Sequence, residues 1–302
     1  MLLAIKIDVD TVAAARDNVP RLVELLQAVE ADATFFFNMG PDRSGRAGGK
    51  LFQVGESGGQ QRRNWRHAKP RGASRFYGTL LPTPLCVKRA QQTMRAVQQV
   101  GYETGIRGWD WVDWVKQSAQ ADEAWMKGEL VSACAAYEQV FGQRPKAIAL
   151  PAWRAHRGAF RLQQRLELEY GSDTRGTHPF LPVIEGEPVC VPQFPTTLPT
   201  LAELSSRDKA LDNAVETLLA QTAARSHYAH VFSINAHADG GKRLPQLQQL
   251  FAGWREQGYQ LGSLRGLYQS LDVTKLPWHT VVQREWPGYA GKLASQGEKF
   301  PF

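Results

Sequence analysis

The chain opens with Leu2-Leu3-Ala4-Ile5-Lys6-Ile7-Asp8-Val9-Asp10-Thr11, an apolar strand that ends in two carboxylates. Side chains two apart share a face of a strand, so Asp8 and Asp10 point the same way. Two like charges that close need a metal ion or a cationic side chain between them. The run also starts an alternation of strand-like and helix-like segments that persists along the chain. Strand patterns fall at Ala33–Asn38, Glu103–Gly108, Ala147–Leu150, Tyr170–Ser172, Val189–Pro192, His230–Asn235 and Tyr259–Ser263. Helix patterns fall at Val19–Glu30, Lys88–Val100, Asp122–Phe141, Gly158–Leu168, Asp208–Ala224, Leu244–Gln257 and Leu264–Leu271. This order predicts an α/β protein with a parallel sheet, closed or nearly closed as a barrel. A length of 302 residues suits one such domain spanning 1–302. The segment after Leu276, rich in Pro, Gly and Trp, reads as an irregular closing piece, and 272–302 is assigned to it.

In a parallel barrel the working residues lie at the C-terminal ends of the strands. There the sequence places Asp8 and Asp10, Asn38, Arg107 with Asp110 and Trp111, Trp153 with Arg154 and His156, Asp173 and Arg175, and Asn235 with His237 and Asp239.

The net charge of +7 is concentrated in one place. Between Pro41 and Arg75 stand nine basic residues, Arg43, Arg46, Lys50, Arg62, Arg63, Arg66, Lys69, Arg71 and Arg75, against Asp42 and Glu56, an excess equal to that of the whole chain. Such a patch on a neutral body either meets an anionic partner or is a solvated loop. The segment belongs to an insertion at 41–87. Its aromatic residues are few and no nucleic-acid module is visible, so a membrane surface is the expected partner and nucleic acid is not. Cys86, Cys134 and Cys190 form no Cys-x-x-Cys pair, and no apolar run approaches the ~20 residues of a membrane span. The expectation is a cytoplasmic protein without a signal peptide, peripheral at the inner face of the cytoplasmic membrane.

Five motifs carry a resemblance: Ile7-Asp8-Val9-Asp10-Thr11, Phe36-Phe37-Asn38-Met39-Gly40-Pro41-Asp42, Tyr77-Gly78-Thr79-Leu80-Leu81-Pro82, Ser172-Asp173-Thr174-Arg175-Gly176-Thr177-His178-Pro179-Phe180 and Pro195-Thr196-Thr197-Leu198-Pro199-Thr200. In this order the chain resembles the polysaccharide deacetylase (NodB-type) superfamily. Within it the chain is similar to the branch of deformylases acting on undecaprenyl-phosphate-linked 4-formamido-arabinose. The resemblance implies a distorted, incomplete (β/α) TIM-like barrel and hydrolysis of an amide on a lipid-linked amino sugar. It also implies a divalent metal such as zinc, held by one Asp and two His. By position Asp8 would be the base, Asp10 a metal ligand, Arg154 the residue orienting Asp8, and Asp173 and Arg175 the substrate side. Asn38, Trp109 and Asn235 would meet the substrate.

The chain departs from that pattern. The expected His-x-x-x-His reads Arg107-Gly108-Trp109-Asp110-Trp111, and the late-strand His is Asn235. Arginine has no lone pair to give a metal, and tryptophan offers only an N–H. Two arrangements follow. In one, the Arg107 guanidinium takes the ion's place against Asp8 or Asp10, no cofactor is needed, and Trp111 fills the vacated space. In the other, Asp10, His156 and His237 form a displaced metal triad, with His237 as a catalytic residue. The functional alternatives are a deformylase and a catalytically inactive homologue that binds a lipid-linked sugar or anionic headgroups.

Overall fold

The computed structural model describes residues 1–47, 72–207, 211–224, 228–286, 289 and 291–301. Strands β1 (Leu2–Val9), β2 (Thr34–Asn38), β3 (Glu103–Gly108), β4 (Ala147–Ile148) and β5 (Tyr170–Gly171) lie side by side. β8 (His230–Asn235) pairs with the other edge of β1, and β9 (Gln260–Gly262) also pairs with β1. Every pairing in this seven-stranded sheet is parallel, and the sheet curls into a half-barrel.

The two faces of the sheet follow from the period of two. In β1, Leu3, Ile5, Ile7 and Val9 enter the large apolar core, joined there by Leu22 and Leu26 of the helix Val19–Ala28. Ala4 faces the barrel interior with Phe36 and Val231. Lys6, Asp8 and Asp10 continue that inner row, so a charged stripe runs up the inside of a strand that is buried on both faces. Gly105 of β3 is required by packing, since a Cβ there would lie 2.7 Å from the Phe36 ring. At Arg107 the β2–β3 register slips by one residue, and Gly108 follows with φ +121°. That left-handed conformation favours glycine and turns the chain into the helix Trp111–Gln117.

Two expectations are corrected. The segment 272–302 is not irregular: β10 (Trp278–Glu285) and β11 (Lys292–Lys299) form an antiparallel hairpin. The hairpin joins β6 (Leu181–Ile184) and β7 (Glu187–Pro188) in a second sheet ordered β11-β10-β6-β7. Its strands are partly exposed on both faces at most positions, so their sequence lacks a clean apolar alternation. Val189–Pro192 is not a strand; Gly171 and Phe180 meet Gln193, just beyond it, through isolated bridges. The helix expected at Asp208–Ala224 is present over Leu211–Ala223, its expected start at 208–210 lies outside the described residues, and Leu201–Arg207 is also helical.

The insertion at 41–87 enters and leaves on adjacent backbone, where Asp42 N–H donates to Pro84 O and Cys86 N–H to Gly40 O. Of its basic residues, Lys50, Arg62, Arg63, Arg66, Lys69 and Arg71 lie outside the described residues. No helix among the described residues is long and apolar enough to cross a membrane.

Candidate functional site

The charged groups meet at the C-terminal ends of β1, β3, β5 and β8. Asp8 and Asp10 are 4 % and 2 % exposed, and Arg107, at 4 %, reaches them both. Its Nε donates to Asp10 Oδ1, and its Nη1 lies 3.0 Å from Asp8 Oδ1. The same Nη1 donates to Ala149 O at 3.1 Å, so the backbone after β4 holds the guanidinium in place. Burial opposes the charge on Arg107, but Asp10 and Asp8 outweigh it and raise its pKa above the ordinary value. Asn235 Nδ2 donates to Asp10 Oδ2 at 3.0 Å, and Ser233 Oγ donates to Asp8 Oδ2 at 3.1 Å.

The displaced triad is not formed. Asn235 caps the short helix Ala236–Asp239, which carries His237 to a 3.4 Å contact between its Nδ1 and Thr11 Oγ1. His156 stands just before the helix Arg157–Arg165. Among the described residues no three His, Cys, Asp or Glu side chains are grouped to hold a metal ion.

Arg154 does not reach Asp8. Ala152 and Trp153 both adopt left-handed backbone, φ 55° and 52°, and this turn sends Arg154 outward, where its Nη1 donates to Val115 O at 2.8 Å. The described partners of Asp8 are Arg107, Lys6 and Ser233. Asp173 is fully buried beneath the mouth and is occupied by Leu150 N–H at 2.5 Å and Gln163 Nε2 at 2.8 Å. Asn38 is likewise engaged: its Oδ1 accepts from Trp111 N–H at 3.1 Å and its Nδ2 contacts Cys86 Sγ. Arg175 is buried between the rings of Trp153 and Trp286 and pairs with Glu203. Trp111 is buried with Ala47 and Val112. Trp109, Asn235 and His237 remain partly exposed at the mouth.

Lys6 went unnoticed in the sequence although it precedes Asp8 by two and so shares its face. Its Nζ donates to Ser172 O at 2.7 Å, lies 3.9 Å from Asp8, and sits over the rings of Trp153 and Phe36. Burial lowers its pKa to about 8, and burial raises that of Asp173 to about 6. Both shifts make stability depend on pH. The depressed Lys6 pKa adds stability that is complete above the unfolded value of 10.5 and disappears as pH falls through about 8. The elevated Asp173 pKa adds stability that is complete below 3.8 and disappears as pH rises through about 6. Chemical denaturation from pH 8 to 10.5 is expected to show a rising limb that Lys6→Met flattens. An identical slope in the variant would remove Lys6 as its source.

Residues 4–171 match the family model for polysaccharide deacetylase. A Shewanella sediminis protein named "probable 4-deoxy-4-formamido-L-arabinose-phosphoundecaprenol deformylase" is 25 % identical over 309 residues, covering 97 % of this chain and 94 % of its own length. A protein of the same name from Wigglesworthia glossinidia brevipalpis is 21 % identical, covering 92 % and 96 %. The crystal structure of a "probable polysaccharide deacetylase" from Pseudomonas aeruginosa superimposes with a TM-score of 0.58 at 15 % identity, covering 89 % of each chain. That last likeness is one of fold, and it agrees with the half-barrel described above.

Proposed function

The chain belongs to the polysaccharide deacetylase family, and on that premise we propose that it binds a lipid-linked amino sugar of the 4-formamido-arabinose type without metal-dependent hydrolysis of its amide. The observation that carries this reading is the Arg107 guanidinium seated against Asp8 and Asp10. In a metal-dependent hydrolase of this kind the ion polarises the carbonyl and activates water. A catalytic ion of this kind is held by about three protein ligands. Here Asp10 is a ligand type, but the groups next to it are a protonated guanidinium and the amide nitrogen of Asn235, and neither has a lone pair to offer. The donor set does not fit a metal ion.

The sugar type is supported by the two curated relatives, which match over nearly their full lengths. The sugar would rest on the partly exposed Trp109, Asn235 and His237. The lipid phosphate would meet the basic segment 41–75, as would an anionic membrane surface. Among its described residues, Arg43 is committed to Asp110 and Asp113, while Arg75 lies over the Phe76 ring near the exposed Leu80 and Leu81.

The test presents 4-deoxy-4-formamido-L-arabinose linked to phosphoundecaprenol in detergent micelles, with zinc supplied, and follows calorimetric binding and formate release together. Saturable binding with formate at the protein-free rate is the expected result. Zinc-dependent formate release that Asp10→Asn abolishes would overturn the reading, and so would the absence of binding.

A further inference from the structure

A second constellation lies away from the carboxylate pair, where the connection after β5 meets the β10–β11 hairpin. His178 and His279 bring their Nε2 atoms to 3.2 Å, with the ring planes at 75°. The tautomers follow from the neighbouring groups. His279 Nδ1 lies 2.9 Å from Gly297 O, which can only accept, so that nitrogen carries the hydrogen and Nε2 the lone pair. Gln296 Oε1 accepts from Thr177 N–H at 2.8 Å and from Thr177 Oγ1 at 3.2 Å. The other end of that amide is therefore its nitrogen, which donates to His178 Nε2 at 3.1 Å. With the Thr177 hydroxyl hydrogen directed at Gln296, Thr177 Oγ1 accepts from His178 Nδ1 at 2.8 Å. Both imidazoles thus hold their hydrogen on Nδ1, and two Nε2 lone pairs face each other.

We infer that His178 and His279 form a binding site for a divalent transition-metal ion of the zinc or nickel class. Two nitrogens each about 2.0–2.1 Å from one ion stand about 2.9 Å apart at a right angle and about 3.3 Å apart at the tetrahedral angle. The observed separation falls between these. Each ring already has its second nitrogen donating to an oxygen, the arrangement that fixes ring orientation and raises basicity in metal-binding histidines. Imidazole suits zinc, nickel and copper, whereas magnesium and calcium favour oxygen ligands. The ion replaces the Gln296 amide hydrogen at His178 Nε2, and water completes its coordination, since both histidines are partly exposed. A shared proton is the competing cation. The ion would tie the β5–β6 connection to the C-terminal hairpin, whose backbone brackets Arg175 through Ala294 O and Gln296 N–H.

The experiment titrates chelator-treated, desalted full chain at pH 7.5 with Zn²⁺, Ni²⁺ and Mg²⁺, using calorimetry and, for geometry, Co²⁺ absorption. About one equivalent of zinc or nickel should bind, with no magnesium, and His178→Ala and His279→Ala should each weaken binding at least tenfold. His178→Gln and His279→Gln repeat the comparison in case an alanine variant loses its melting transition. No saturable binding at millimolar metal, or binding unchanged in the folded variants, would overturn the site.

Discussion

Arg107→Ala should lower the stability of the folded chain by about 3–5 kcal/mol, the usual cost of removing one partner from a buried ion pair. In a chain of this size that is a fall in melting temperature of roughly 5–8 °C. The variant leaves Asp8 and Asp10 facing each other without the guanidinium that bridges them, with Lys6 Nζ 3.9 Å from Asp8 as the remaining cation, while Ala149 O loses its donor. The loss should depend on pH. Two carboxylates left to share a site bind a proton more tightly than they do in the unfolded chain. A folded-state pKa raised in this way gives stability that is complete below the unfolded pKa and disappears as pH rises. The variant should therefore approach the wild type near pH 4 and fall furthest behind it above pH 7. Asp8→Asn with Asp10→Asn, added to Arg107→Ala, should recover much of the loss, and the coupling read from that cycle isolates the charge interaction. Thermal melts at several pH values make the measurement. A melting temperature in Arg107→Ala equal to that of the wild type at pH 7.5 would mean that the guanidinium does not hold the carboxylates.

What the sequence revealed, and what it hid, divides by range. β3 and β8 stand at the residues their patterns mark, β3 between Gly101, which follows the preceding helix, and Gly108, and β8 as a largely apolar run closed by Asn235. The pairing of Asp8 and Asp10 on one face of β1 was also legible, since they follow the strand period, and the same period extends to Lys6, which went unnoticed in the sequence. The expectation that Arg107 meets Asp8 or Asp10 came from chemistry, because a counter-charge was needed there and the strand ends lie together; that it reaches both is seen only in the fold. The roles of Arg154 and Asp173 were read from motif position, and motif position does not carry direction. The left-handed turn at Ala152 and Trp153 sends Arg154 to Val115, and Asp173 is occupied by Leu150 and Gln163. The β10–β11 hairpin escaped because its half-exposed strands carry no alternating apolar face. Its register is set by pairing with β6, about a hundred residues earlier, which no local pattern reports. The His178–His279 contact has the same origin.

Glu203→Ala should be comparably damaging, for a reason visible only in the folded chain. The Arg175 guanidinium carbon lies 5.0 Å from the Trp153 ring and 4.7 Å from the Trp286 ring, and its Nη2 is 3.3 Å from Glu203 Oε2. Both members of the pair are 2 % exposed, so removing the carboxylate isolates a cation that water cannot reach. The two rings offset part of that charge through their quadrupoles, on the order of 1 kcal/mol each. This is less than the about 3–5 kcal/mol that breaking a buried pair costs. Trp153 is also the residue whose left-handed backbone, φ 52°, must be held by its surroundings. Its Nε1 donates to Thr196 Oγ1 at 3.0 Å, and its ring lies against Lys6 as well as Arg175. Loosening Arg175 thus loosens the wall between the carboxylate site and the C-terminal hairpin. Replacing both charges together, Arg175→Met with Glu203→Leu, should cost much less than Glu203→Ala alone, because no unpaired charge remains buried. Equilibrium urea unfolding without any sugar present decides the matter. If Glu203→Ala leaves stability within about 0.5 kcal/mol of the wild type, the range of an ordinary surface substitution, Arg175 is not a structural cation. Its guanidinium would then be available to a ligand.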